Sequence, residues 1–248
     1  MRRRSLGRLI LGLWLLGLPG SAGPLPGPGF LQAVDLKHLP SGGYSALHMI
    51  DPGHAVVLTD KGGLLRLKIT RKEGRIVKVT SGPVQPVLDS RGRPPLPGQS
   101  DTEGLAMAPD GRLWISTEGT ARVMAFSALG AAATRMPRPK IFARFSSNTA
   151  FEALALSPQG QLWLIPEAPL DGDFPVFTWS GSSWDLTWHL PPDGFWLVSD
   201  AAFDDKGRLY LLERLFAGPA GFASRLRRFE VGPDGPGPRA AVEAKYDD

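Results

Sequence analysis

The chain has 248 residues, with 28 lysines and arginines, 24 aspartates and glutamates, 30 glycines, 24 prolines and no cysteine. The missing cysteine excludes disulfides, thiolate metal sites, cysteine nucleophiles and a lipidated cysteine anchor. Four basic residues and no acidic one precede Gly23, so 24 of each sign remain beyond it and little supports a nucleic-acid or anionic-membrane partner.

Residues 1–22 read as a secretory signal peptide: Arg2, Arg3, Arg4 and Arg8, an apolar run from Leu9 to Leu18, then small residues up to a cleavage site near Ala22. The run is shorter than the roughly 20 residues of a membrane span. An uncleaved anchor is the alternative, and Arg3-Arg4 hints at twin-arginine export. The expectation is a periplasmic or secreted protein without stable membrane insertion after cleavage.

Residues 23–248 read as one all-β domain organised by a hairpin repeated four times. The copies run Ser45–Asp60, Glu103–Glu118, Glu152–Glu167 and Ser199–Arg214, centred on Gly53, Gly111, Gly160 and Gly207. Within a copy, apolar residues alternate into a Pro- or Asp-containing turn and out again, as in Leu105, Met107, Pro109-Asp110-Gly111 and Leu113-Trp114-Ile115. Each copy precedes a second, less regular hairpin. Leu64–Ile69 pairs with Ile76–Val79, Val123–Phe126 with Lys140–Phe145, Val176–Trp179 with Trp184–Trp188, and Arg225–Val231 with Ala240–Ala244. Two hairpins make a four-stranded antiparallel blade, so the pattern predicts a β-propeller with four visible blades. Phe30–Leu36 is a spare strand able to complete a blade, and Pro83–Pro97 is a loop. Trp114, Trp163 and Trp188 are expected to be core.

Aligning the copies on their turn glycines produces two polar columns. Eight residues before the glycine stand Ser45, Glu103, Glu152 and Ser199, with Asp200 beside the last. Seven after it stand Asp60, Glu118, Glu167 and Arg214, with Glu213 beside the last. Both columns fall at the open end of the hairpin, where successive blades converge on the axis. Clustered carboxylates need a cation or an arginine, and hard oxygen ligands favour calcium or magnesium. The bland alternative is that each carboxylate accepts backbone N–H bonds and links blades. Arg225, Arg227 and Arg228 could neutralise the ring, bind an anion or lie solvated on an outer strand. No G-x-S-x-G elbow, phosphate loop or paired-histidine zinc motif is present.

D-T-E-G-L-A with P-D-G-R-L-W-I-S-T-E-G (Asp101–Gly119), N-T-A-F-E-A-L-A (Asn148–Ala155), G-R-L-Y-L-L-E-R (Gly207–Arg214) and S-R-L-R-R-F (Ser224–Phe229) resemble the esterase-like phytase family of exported bacterial β-propellers. G-G-Y-S-A-L (Gly42–Leu47) and T-D-K-G (Thr59–Gly62) resemble further elements of it. The resemblance covers essentially the whole chain beyond the leader and implies ester or phosphoester hydrolysis. Its motifs carry over Asp60, Glu103, Glu118, Asn148, Glu152, Glu167, Asp200, Glu213 and Arg214 as residues of interest. Family members continue to a further acidic repeat after the element at Ser224–Phe229, so a closing blade that is missing or irregular would bring the count to five or six.

The sequence thus predicts metal-assisted hydrolysis of a small-molecule phosphoester or carboxylic ester by a monomer. Glu103, Glu118, Asn148, Glu167 and Asp200 would hold a divalent cation, calcium in the leading reading. Glu152 is the candidate general base, Arg214 would neutralise developing charge, and Asp60 and Glu213 would contact substrate. A non-catalytic binding propeller and a lactonase-type propeller with Asn148 as ligand remain the alternatives.

Overall fold

The computed structural model describes residues 32–40, 42–96, 100–145, 150–216, 218 and 221–247; the expected leader and Asn148 lie outside them. The repeated hairpin forms in every copy. Gly111, Gly160 and Gly207 adopt φ of +93°, +81° and +77°, which favours glycine at the turn. Gly53 needs no such conformation, because the Asp51 carboxylate accepts its N–H at 2.6 Å.

Each hairpin opens a four-stranded antiparallel sheet, and the four sheets are the blades of a β-propeller. Blade 1 contains β1 (Tyr44–Asp51), β2 (His54–Thr59), β3 (Gly63–Lys72) and β4 (Arg75–Ser81). Blade 2 contains β6 (Thr102–Met107), β7 (Leu113–Thr117), β8 (Arg122–Phe126) and β9 (Thr134–Arg135). Blade 3 contains β10 (Ala153–Leu156), β11 (Leu162–Ile165), β12 (Phe174–Trp179) and β13 (Trp184–Leu190). Blade 4 contains β14 (Leu197–Phe203), β15 (Leu209–Phe216), β16 (Phe222–Gly232) and β17 (Gly235–Asp247). The proline-rich loop after blade 1 adds a short strand, β5 (Gln85–Pro86), paired with β3.

Strands β1, β6, β10 and β14 lie innermost, each against the next. Apolar side chains on both faces of the sheets form the cores between blades. Leu58, Leu105, Leu113 and Ile115 join blade 1 to blade 2, and Leu154, Leu164 and Phe177 pack with Ala106 and Val123 between blades 2 and 3. Ala153, Trp163, Ile165, Leu209 and Leu211 join blade 3 to blade 4. Trp163 is buried there, and Trp114 and Trp188 pack against the cores as expected.

Two expected pairings differ. β8 pairs with Thr134–Arg135 rather than with residues 140–145, which begin in a 3-10 turn over Lys140–Arg144. Pro137 and Pro139 interrupt strand pairing there, and buried Phe142 packs edge-on against Phe151 and Phe177 at centroid distances of 4.5 and 5.0 Å. Phe30 and Leu31 are outside the described residues, and residues 32–36 form no strand. Residues 32–40 instead run as a strap over blade 1: Val34, Leu36 and Leu39 pack on the cluster of Ala55, Val57 and Leu65. The Gln32 amide holds the strap down, donating to the Ile76 carbonyl at 2.6 Å and accepting its N–H at 3.0 Å.

Candidate functional site

The open ends of the hairpins are stitched by the same backbone bond in successive blades. The N–H groups of Asp60, Glu118 and Glu167 donate to the carbonyls of Gly43, Asp101 and Ala150, at 2.8, 2.9 and 2.8 Å. The column also ties blade to blade, since the Glu167 carbonyl accepts the Val198 N–H at 2.9 Å. These bonds fix where the acidic side chains leave the backbone.

A second device sets the spacing between Glu103 and Glu152. Gly104 sits so close to blade 3 that a Cβ there would lie 2.6 Å from Ser116 Oγ and 2.9 Å from the Glu152 carbonyl oxygen. The Gly104 N–H donates to Ser116 Oγ, which donates to the Phe151 carbonyl, both at 2.8 Å. Fully buried Ser116 therefore holds the residues beside both glutamates.

Two acidic triplets result. Asp101, Glu103 and Glu118 each offer a carboxylate oxygen within 4.8 Å of the others, and so do Glu118, Glu152 and Glu167. Glu118 is common to both. Arg214 is the cation in contact with them among the described residues: its guanidinium donates to Glu167 and lies 3.6 Å from Glu152. The two carboxylates are buried while the Arg214 side chain is about half exposed.

One arginine does not balance so many acids, and the proton affinities record this. Burial pushes Glu152 up to about 9, assisted by the negative charge of Glu103 and opposed by Arg214. Burial also raises Glu103 and Glu118 to about 7, with the neighbouring carboxylates adding to the rise. Asp101 is raised by burial and by Asp60. Burial works against the Arg214 charge, but the Glu167 hydrogen bond and the charges of Glu152 and Glu103 outweigh it and raise its pKa. Two carboxylates also have local partners, Glu103 with the Ser45 hydroxyl and Glu118 with the Ala150 N–H. The blade-linking role is thus real for Glu118 alongside its place in both triplets.

The other predicted residues divide. Asp60 faces the first triplet, since its charge raises both Asp101 and Glu103, and its buried Oδ1 has no hydrogen-bond partner. Asp200 does not join either triplet. It lies opposite Leu212 on blade 4, accepts the Ala201 N–H at 2.8 Å and is pushed up to about 7 by burial.

Glu213 departs furthest from its expected contact with substrate. It is fully buried, and its oxygens accept from Arg225 Nε at 2.6 Å and from Arg227 Nε and Nη2 at 2.9 and 2.6 Å. The two arginines continue to Asp193 and to the Pro191 carbonyl, and Arg225 stacks 4.4 Å over Trp196. Arg225 and Arg227 are therefore neither solvated nor free to neutralise the acidic ring; they are the internal counter-charges of Glu213. Half-buried Arg228 instead pairs with Glu230 and Glu243 on the outer strands.

Sequence reasoning missed Asp101 and Ser116 as site residues. Asp101 stands ten residues before its turn glycine, where the other copies carry Gly43, Ala150 and Leu197, so no column announced it. A recess of about 100 Å³ lined by Ile141, Arg144, Asp171 and His189 lies at blade 3 and contains none of the predicted residues.

A family model described as "Phytase-like: Esterase-like activity of phytase" matches residues 39–245. No curated protein sequence matches the chain. Among solved structures, similarity extends to U3-55K, at 13% identity, a TM-score of 0.45, 81% of this chain and 51% of the other. Virginiamycin B lyase from Staphylococcus aureus is similar at 12% identity and TM-score 0.43, over 88% of this chain and 73% of the lyase. A gluconolactonase from Xanthomonas campestris is similar at 16% identity and TM-score 0.43, over 77% and 58%. The chain spans about half the length of the first of these.

Proposed function

The chain belongs to the phytase-like family of esterase-like activity, matched over residues 39–245, and we propose that it is an exported hydrolase of a phosphoester or carboxylic ester assisted by a divalent cation. The observation that carries this reading is the gathering of Asp101, Glu103, Glu118, Glu152 and Glu167 from blades 2 and 3 into two triplets sharing Glu118. The donor set fits a hard cation: it is all carboxylate oxygen, Asp60 Oδ1 beside it is buried without a partner, and among the described residues Arg214 is the one cation in contact with it. Such a cation, calcium in our reading, would supply the positive charge that keeps these groups ionised and polarises the ester.

The chain's own residues supply the rest. Glu103, Glu118 and Glu167 would hold the cation, together with Asp101 of the first triplet. Glu152, beside these carboxylates and 3.6 Å from Arg214, is the base that takes a proton from the attacking water once the cation and Arg214 hold it ionised. Arg214 reaches Glu152 and Glu167 from blade 4, placing a guanidinium beside the developing oxyanion. Asp60 borders the same face, where a substrate hydroxyl would meet it.

A second reading, a binding propeller without turnover, is favoured by the bonds that Glu118 and Glu167 make to Ala150 and Arg214. A panel of phosphomonoesters, p-nitrophenyl esters and lactones, run with and without a chelator, separates the two. Hydrolysis that the chelator abolishes, and that Glu103→Gln with Glu152→Gln also abolishes, supports the hydrolase. Turnover untouched by both changes contradicts it, and no turnover at all favours the binding propeller.

A further inference from the structure

We propose that the exposed face of the β3–β4 hairpin is a docking surface for a bilayer rich in anionic phospholipids. The inference does not depend on the hydrolase reading. It starts from where the charge lies. Arg66, Lys68, Arg71, Lys72, Arg75 and Lys78 fall within one stretch whose single acid is Glu73. Beyond Gly23 the chain has 24 residues of each sign, so six basic residues and one acid on this hairpin leave 18 and 23 for the remainder. The balanced total therefore conceals two poles of opposite sign.

The strand register gathers five of the six on one face. Along β3, Arg66, Lys68, Thr70 and Lys72 alternate with Leu65, Leu67 and Ile69, which are buried. Across the ladder Lys78 lies opposite Thr70, and Arg75 opposite Lys72. All five basic residues of that face are exposed, and no carboxylate among the described residues pairs with any of them. Elsewhere exposed arginines are neutralised on the spot: Arg93 by Asp89, Arg112 by Asp110 and Arg144 by Asp171. Like charges set directly opposite, as Lys72 and Arg75 are, destabilise a strand pair. Guarding a sheet edge accounts for basic residues on β4, but not for Arg66 and Lys68 on β3, which is paired on both sides.

The surroundings favour lipid as the occupant. Ile50 and Val77, 49% and 58% exposed, stand on β1 and β4 close to the two hairpin turns. Aliphatic side chains beside basic ones suit the boundary between headgroups and acyl chains. The β3–β4 hairpin carries no phenylalanine, tyrosine or tryptophan on which a nucleic-acid base would stack.

The location also sets an orientation. The tip of this hairpin lies beside the β1–β2 turn, since Arg71 Nε donates to the Pro52 carbonyl at 2.9 Å and the Ile69 N–H to the Gly53 carbonyl at 2.7 Å. That is the closed end of the repeated hairpin, whereas Asp60 and the acidic triplets stand at the open end. An anionic surface attracts one pole and repels the other, so the docked chain presents its acidic group to solvent.

Flotation of the purified chain with phosphatidylcholine vesicles, with and without phosphatidylglycerol, tests this. Binding that requires phosphatidylglycerol and weakens as salt rises is expected. Each basic residue near an anionic surface contributes about fivefold, so Lys68→Gln with Lys78→Gln should weaken binding about 25-fold. Arg66→Gln with Arg75→Gln gives an independent readout should the first pair fail to fold. Lys140→Gln with Lys206→Gln, at exposed positions after blade 2 and in a blade 4 turn, should bind as the wild type does. Residues 1–22 are common to all these proteins, so any contribution of theirs cancels in the comparison. A wild-type chain that ignores phosphatidylglycerol overturns the proposal, as do folded variants of the hairpin that bind like the wild type. Duplex DNA that displaces the vesicles, and whose own binding is lost in the same variants, would overturn it in favour of a nucleic acid.

Discussion

Arg214 of blade 4 hydrogen-bonds Glu167 of blade 3, so one guanidinium both closes the acidic group and ties two blades together. The Glu167 carboxylate is almost wholly buried, whereas the Arg214 side chain keeps 45% of its surface. Arg214→Ala would leave buried Glu167 and Glu152 without their cation. Removing one partner of a buried pair costs about 3–5 kcal/mol, and the exposure of Arg214 lowers the expectation here to about 2 kcal/mol. Urea unfolding of Arg214→Ala and Arg214→Lys measures this, with the lysine variant expected to lose less.

Stability of the cation-free protein should fall as pH rises. Glu152 is raised to about 9 in the folded chain, so between its ordinary carboxylate range and pH 9 the folded state binds a proton that the unfolded state releases. Glu103 and Glu118, raised to about 7, act in the same sense between about pH 5 and 7. Thermal unfolding in chelator at pH 5 and pH 8.5 should give the higher Tm at pH 5. Glu152→Gln, which carries no titrating charge, should flatten the difference; an identical pH profile for both proteins would count against the assigned electrostatics.

Glu213→Gln should destabilise the fold by about 3–5 kcal/mol, because Arg227 would then be buried without a counter-charge and Arg225 would keep only the exposed Asp193. Chemical denaturation reads the loss. Where the variant is still folded, cation affinity should be unchanged, since Glu213 belongs to neither acidic triplet.

Gly104→Ala tests the spacing device. A methyl group 2.6 Å from Ser116 Oγ and 2.9 Å from the Glu152 carbonyl would push blades 2 and 3 apart, at a cost of about 1–3 kcal/mol. Calcium affinity should fall with it. Ser116→Ala, which removes the buried hydroxyl linking Gly104 to Phe151, should cost about 1–2 kcal/mol without the same clash.

The blades were legible because their signals are local. Turn glycines such as Gly111 and Gly160, and alternation such as Leu105 and Met107, state a hairpin within a few residues, and the repeat carries the register across the chain. The same register placed Glu103, Glu118, Glu152 and Glu167 at one open end, where they meet. Three features were not legible for one reason: each depends on a non-local pairing. Glu213 alternates with Arg214 along β15, and only the cross-strand register to Arg225 shows that it turns inward. The strap at residues 32–40 resembles a strand until its apolar residues are seen lying on blade 1. Asp101 has no acidic counterpart in other copies, yet its carbonyl accepts the Glu118 N–H at 2.9 Å as Gly43 and Ala150 do for Asp60 and Glu167.

Calorimetric titration of calcium into the chelator-treated protein and its Glu118→Gln variant tests the central claim most directly, because Glu118 belongs to both triplets. Saturable binding to the wild-type chain is expected, weakened at least about tenfold in the folded variant. No binding heat in the wild type, or equal affinity in the two proteins, would contradict a cation held by this acidic group.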